Sequence, residues 1–138
     1  MKFILGKKQN MVQCFQEDGT VIPATVISAG PLVVTQVKSP DVDGYVAVQV
    51  AYDEQNPKRA TKAHLGHIKS LKGEDDKAEK AYKHLREFRD IEEIQEGDEI
   101  TVGVFSEGDT VTVSGISKSK GFQGVVKRHG FHGGPRSH

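Results

Sequence analysis

The chain has 138 residues, 36% apolar and 28% charged, enough for one ordinary domain with a core of its own. No apolar run is long enough to cross a bilayer and the start lacks a signal-type apolar stretch, so the expected location is cytoplasmic with no membrane partner. Lys+Arg and Asp+Glu both number 19, and the resulting zero net charge neither favours nor excludes an anionic partner until its distribution along the chain is known.

Phe3–Leu5 reads as a short strand, Gly6 to Asn10 as a basic turn in which Asn10 takes a left-handed backbone, and Met11 to Phe15 as a second strand. Lys7 and Lys8 in that turn are candidate phosphate contacts or ordinary solvated side chains. Cys14 is the only cysteine, which excludes an internal disulfide; its expected role is a small buried apolar side chain. Glu17-Asp18-Gly19-Thr20 is a hairpin turn of the Asp-Gly kind. Val21–Ser28 and Leu32–Lys38 are β-branched strands separated by Ala29-Gly30-Pro31, and Pro23 favours an edge or early strand position. Tyr45–Tyr52 alternates with a period of two and predicts a half-buried strand. Strands at this spacing imply a mainly β chain, either a small closed barrel or a sandwich.

Beyond Asp53 the pattern changes. His64 and His67 have a spacing that one helical turn could use for a metal, but no completing ligand set stands nearby, and a surface or partner-facing role is expected. Residues 74–90 predict a helix: Ala78, Ala81, Tyr82, Leu85 and Phe88 form one stripe, acids crowd the first turn and bases the last, and Asp76–Lys80 and Glu79–Lys83 are i,i+4 pairs. Gly97-Asp98 marks a turn, and Ile100–Phe105 and Thr110–Ile116 predict two further strands.

The charge distribution resolves the neutral total. Residues 1–70 carry eight basic and six acidic side chains, residues 71–110 six and thirteen, and residues 111–138 five and none. With a Debye length of about 8 Å at physiological salt, such patches act nearly independently. The acid-free stretch from Ser117 to His138 holds Lys118, Lys120, Lys127, Arg128 and Arg136 among glycines 121, 124, 130, 133 and 134. Each cation can neutralise a phosphate and release a counterion. Glycine lets a main chain approach a phosphate backbone closely, and Phe122 or Phe131 can stack on an unpaired base. A solvated basic tail is the alternative, against which Val125 and Val126 look like the end of a strand, and Phe122 has core packing as its other reading. His129 and His132 have the spacing of a metal pair, but no third ligand is evident. No phosphate-loop motif, hydrolase elbow or paired-carboxylate site is present, so a binding module precedes an enzyme.

The chain resembles the L-three family of large-subunit ribosomal proteins, bacterial type, along essentially its whole length. The resemblance is carried by Gly6-Lys7-Lys8-Gln9-Asn10-Met11, Phe15 to Gly19, Ile22 to Ile27, Val34 to Lys38, Gly44-Tyr45 and Gly66-His67. Its most specific part runs from Phe105 to Arg128, with Gly115, Ser117, Lys120-Gly121-Phe122, Gly124 and Val126-Lys127-Arg128 on the family signature. His129 to Pro135 and Ser137-His138 follow as the root of the family's internal loop. The chain departs from the pattern at Asn10, Thr112 and Ser119.

This resemblance implies a translation-factor-like β-barrel over 1–128, with a helical insertion at about 58–90, and the start of a basic glycine-rich loop over 129–138. The chain is expected to stop within that loop and leave the barrel incomplete at its C-terminal end. It implies a non-enzymatic structural constituent of the large subunit that supports assembly, needs no cofactor or metal, and has large-subunit ribosomal RNA and neighbouring ribosomal proteins as partners. The implied RNA contacts are Lys118, Lys120, Lys127, Arg128 and Arg136, with Gly121 and Gly124 admitting close backbone approach and Phe122, His129, His132, Lys7 and Lys8 alongside. Two alternatives stay open: a β-barrel that binds a protein through the acidic helix, and a metal-dependent enzyme using His64, His67, His129 and His132.

Overall fold

The computed structural model describes residues 2–68, 80–91 and 93–137. They fall into two compact units, Met1–Glu107 and Gly108–His138. The first unit holds all the strands. In chain order these are β1 (Gly6–Phe15), β2 (Val21–Ala29), β3 (Leu32–Lys38), β4 (Ala47–Gln55), β5 (Ala81–Arg89) and β6 (Glu99–Ile100). Between them, among the described residues, lie two short α-helices, α1 (Pro40–Asp43) and α2 (Lys62–His67).

β1 and β2 form a two-stranded antiparallel ribbon, and β5-β4-β3-β6 form a four-stranded antiparallel sheet. The chain is thus mainly β, and no closed barrel is formed among the described residues. The ribbon turn closes as its Asp-Gly signature predicts: Gly19 has φ 84°, and the Asp18 carboxylate accepts from the Thr20 amide at 2.9 Å and the Thr20 hydroxyl at 2.8 Å. The predicted turn at Gly6–Asn10 is instead part of β1. Lys8 pairs with Ile27 and Met11 with Thr25, so Gln9 and Asn10 together oppose Val26 as a β-bulge. The bulge absorbs the extra residue, and Asn10 does not take the left-handed backbone expected of it. Cys14 is exposed rather than buried, because the ribbon leaves both its faces open over that stretch.

The core is built on β3 and β4. Leu32, Val34, Val48, Val50 and Tyr52 turn to one face with Phe3 and Ile91, and Phe88 and Ile100 pack against them. Ala51, Ile68 and Tyr82, with Val33 and Leu85, fill the other face. β4 is therefore buried on both faces from Ala47 to Tyr52, not half-buried as its alternation suggests. On its second face the small Ala51 packs with Ile68, the residue that follows α2, and with Tyr82. Burying a Val or Leu side chain in such a layer contributes about 1.5–3 kcal/mol.

The predicted helix over 74–90 is corrected from residue 81 onward: Ala81–Arg89 is a strand that pairs along β4 from Ala47↔Arg89 to Gln55↔Ala81. Residues 74–79 of that expectation lie outside the described residues. The apparent helical stripe divides between two core clusters, with Tyr82 and Leu85 in one and Phe88 in the other. Cross-strand pairing overrides helix propensity, which is a weak prior. Within the expected insertion at about 58–90, helical backbone among the described residues is confined to a 3₁₀ turn at Pro57–Arg59 and to α2.

Two other predicted strands are shorter or absent. Ile100–Phe105 contributes only Ile100 to β6 before a 3₁₀ turn at Val102–Val104. Thr110–Ile116, rich in Val and Thr, has no regular structure and is exposed. β-propensity reflects packing on a half-buried surface, and this segment has no partner strand among the described residues. Val125 and Val126 do not end a strand either; they open α3 (Val125–His129), the helix of the second unit.

Candidate nucleic-acid interface

In the second unit, the acid-free stretch from Ser117 onward is an exposed cationic segment. Lys118 and Lys120 precede Gly121, whose φ of 66° is the left-handed backbone that favours glycine. Phe122 is fully exposed, so the core-packing reading fails among the described residues. The Gln123 side-chain amide donates to the Lys120 carbonyl at 3.4 Å, spanning the bend. Gly124 then starts α3: its carbonyl accepts from the amides of Lys127 at 3.2 Å and Arg128 at 3.0 Å. Gly130, at φ 68°, ends the helix and returns its amide to the Val126 carbonyl at 3.1 Å.

Lys127, Arg128 and His129 are consecutive on this single turn. Successive helical residues are about 100° apart, so the three side chains fan around the helix instead of lining one edge. The His129 and Phe131 rings lie 5.8 Å apart at 42°. His132 and Arg136 follow on exposed backbone without regular structure. None of Lys118, Lys120, Lys127, Arg128 and Arg136 has an ion pair among the described residues. The segment can offer five hydrated cations, an exposed aromatic face and open glycine backbone to an anionic polymer.

Lys7 and Lys8 belong to the first unit, on β1. Lys8 is exposed and has no ion pair among the described residues. Lys7 is held by the carboxylate of Asp53. Lys83 reaches the same Asp53 oxygen, Oδ2, at 2.7 Å. Hydrogen bonds from Lys7 and then Lys83 hold the Asp53 carboxyl at about 2, below its usual 3.8. Asp53 itself has φ 63°, a left-handed backbone within β4. Asp53 and Lys83 were not read as site residues from sequence; Lys83 was assigned to an i,i+4 pair on a helix, and no local pattern links positions 7, 53 and 83.

A second charged cluster sits where β3, β4 and β5 meet. The Tyr45 hydroxyl accepts from Lys38 at 3.1 Å and donates to Glu87 at 2.9 Å, and Lys38 pairs with Glu87 at 3.1 Å. Arg89 lies over the Tyr45 ring at 4.9 Å. Hydrogen bonds from Lys38 and Tyr45 lower the Glu87 carboxyl, and those to Tyr45 and Glu87 raise the Lys38 ammonium.

The two histidines of α2 lie at the surface, His67 exposed and His64 half-buried, and each also bonds inward. The His64 Nε2 lies 2.8 Å from the Tyr82 carbonyl, and the His67 Nε2 lies 2.9 Å from Gln49 Oε1. Both oxygens only accept, so each Nε2 carries the hydrogen and the rings tie α2 to β5 and β4. No group of three His, Cys, Asp or Glu side chains gathers in metal-binding geometry among the described residues, and no helix there is long and apolar enough to cross a membrane.

Against known proteins, the family model of ribosomal protein L3 matches residues 46–138. Over all 138 residues the chain is 48% identical to the large ribosomal subunit protein uL3 of Chloroherpeton thalassium, covering 65% of that protein. Over the same length it is 46% identical to the uL3 protein of Acidothermus cellulolyticus, covering 60% of it. The uL3 protein of Geobacillus thermodenitrificans is 48% identical over 137 residues, 99% of this chain and 63% of its own. The chain therefore spans less than two thirds of the length of these relatives.

Proposed function

The chain belongs to the ribosomal protein L3 family, and we propose that it is a structural, non-enzymatic constituent of the large ribosomal subunit that binds ribosomal RNA and supports subunit assembly. Its place would be the cytoplasmic ribosome, beside neighbouring large-subunit proteins. Family membership also supports a translation-factor-like β-barrel as the arrangement to which the ribbon and the four-stranded sheet contribute, over 1–128, with 129–138 as the start of the basic loop.

The observation that carries the RNA reading is the run of five cations between residues 118 and 136 with no carboxylate in the same stretch and no ion pair among the described residues. Charges left unpaired by the chain itself are available to phosphates at no cost in broken ion pairs. Lys118, Lys120, Lys127, Arg128 and Arg136 would contact phosphate. Gly121 and Gly124 would admit close main-chain approach, Phe122 would stack on an unpaired base, and His129 and His132 would hydrogen-bond RNA. Lys8, and Lys7 beyond its pairing with Asp53, would add contacts from the first unit. The recognition is charge neutralisation and shape fitting, with no bond made or broken.

A salt titration of binding to a large-subunit ribosomal RNA transcript tests this. Each phosphate contact contributes about 0.7–0.9 to the log–log slope, so five predict a slope of about 3.5–4.5 and a loss of affinity of roughly 100–500-fold between 50 and 200 mM salt. The Lys127→Ala/Arg128→Ala double variant should lower the slope by about 1.4–1.8. Binding that does not depend on salt, or that ignores the double variant, would overturn the reading.

A further inference from the structure

We propose that Lys7 and Lys83, gathered on Asp53, form a phosphate-binding point for folded RNA on the first unit, in addition to the basic segment. The proposal rests on the RNA-binding reading and adds Lys83 to it.

Three strands supply the group: Lys7 from β1, Asp53 from β4 and Lys83 from β5. Both ammonium groups meet one carboxylate oxygen, so the cluster keeps a surplus positive charge. An ammonium has three N–H donors, and here each spends one on Asp53. Two donors on each nitrogen have no partner among the described residues. The lysine side chains are 46% and 45% exposed and the Asp53 side chain 23%, so solvent reaches the cations more than the acid between them. A phosphate oxygen approaching from solvent meets two oriented ammonium groups before it meets the carboxylate. Holding the lysines in one place in advance also reduces the side-chain ordering that binding would otherwise require.

The Lys38 cluster on the same sheet provides the contrast. There one lysine, 17% exposed, stands between two acids, Glu87 at 3.1 Å and Asp43 at 4.0 Å. That arrangement is covered and leaves no surplus positive charge, as a purely structural clip should. The Asp53 cluster has the opposite stoichiometry and is open. Asp53 also keeps a left-handed φ of 63°, and strained backbone of this kind persists where the surroundings fix it and gathers at binding sites.

The test uses the full chain and a large-subunit ribosomal RNA transcript. Lys83→Ala should lower the log–log salt slope by about 0.7–0.9, the signature of one lost phosphate contact. In the wild-type protein, RNA should protect Lys83 from acetylation by a water-soluble acylating reagent, a readout that does not require the variant to fold. Unchanged slope in Lys83→Ala, or equal acetylation of Lys83 with and without RNA where that variant does not fold, overturns the inference. If Lys127→Ala/Arg128→Ala still lowers the slope, only the Lys83 site falls. If the wild-type chain binds no RNA, the functional reading falls and this inference with it.

Discussion

The histidine contacts of α2 make a quantitative prediction about stability. Gln49 Oε1 accepts from the Thr35 hydroxyl at 2.9 Å and from His67 Nε2 at 2.9 Å. Gln49→Leu removes both acceptor positions while keeping the side-chain volume close. Thr35 retains a partner, because its hydroxyl also lies 3.2 Å from the Gln49 main-chain carbonyl. His67 loses its partner in Gln49 but stands at an exposed residue, where water can replace it. Glu87 also loses the hydrogen bond that the Gln49 side chain gives it. The loss should therefore be close to that of two ordinary hydrogen bonds, about 1–3 kcal/mol, and not the larger cost of an orphaned buried donor. His67→Ala should cost about half as much, since Thr35 continues to satisfy the Gln49 oxygen. Because the two substitutions remove the same bond, the double variant should lose less than the sum, with a coupling energy of about 0.5–1.5 kcal/mol. Urea unfolding of the four proteins, compared at constant m-value, gives that coupling. Additive losses, within about 0.3–0.5 kcal/mol, would show that His67 faces a partner or solvent and does not hold α2 on β4.

Asp53 gives a pH dependence of defined sign. Its folded-state pKa is depressed from 3.8 to about 2 by Lys7 and Lys83, so its contribution is present above pH 3.8 and is lost as pH falls through about 2. Asp53→Asn preserves a residue that tolerates the left-handed backbone. The melting-temperature difference between wild type and this variant should shrink as pH drops from 5 to 2; a constant difference would refute the assignment. In the core, Leu32 is fully buried and pairs with Ile100. Leu32→Ala should cost about 2–5 kcal/mol by chemical denaturation, and a loss below about 1 kcal/mol would mean that the β3–β6 contact is not part of the core as described.

The strands whose hydrophobic pattern and turn signals agree were legible in the sequence. Leu32–Lys38 is found with the bounds expected of it, and Val21–Ser28 is extended only by Ala29. Asp18-Gly19 gave the ribbon turn because its chemistry is local: an Asp side chain bonding two residues on and a glycine at positive φ. Ala81–Arg89 was misread because its signal is ambiguous. A spacing of three and four serves one face of a helix, but here it runs along a strand of a sheet covered on both sides, with Tyr82 and Leu85 in one core cluster and Phe88 in the other. The same two-sidedness hid the fate of His64 and His67, whose partners Tyr82 and Gln49 come from strands distant in sequence. Thr110–Ile116 failed in the other direction, since Val and Thr favour a strand only where a neighbouring strand exists to pair with them. Of the candidate site, the cationic stretch was legible because charge composition needs no fold to be read. The Lys7–Asp53–Lys83 cluster was not, because only the pairing of β4 with β5 and the approach of β1 bring those positions together.

The zero net charge of the chain conceals two differently placed sets of cations. Lys7, Lys38 and Lys83 of the first unit each stand on a carboxylate. No acid lies between residues 111 and 138, so the cations of the second unit cannot be matched within their own segment. A protein whose positive charge was spread evenly would spend it on exposed ion pairs, which stabilise little and are screened by salt. Concentrating unmatched cations in a stretch that contributes no strand and no buried core residue separates the two demands on the sequence. The sheets are held by apolar burial and by hydrogen bonds such as Thr35–Gln49, which salt at ordinary concentrations hardly touches. Under the proposed RNA-binding role, the cationic stretch would respond to phosphate and to salt without putting the fold at risk. Binding and folding should therefore answer to different variables: ionic strength for the first, and the packing around Leu32, Val34, Val48 and Val50 for the second.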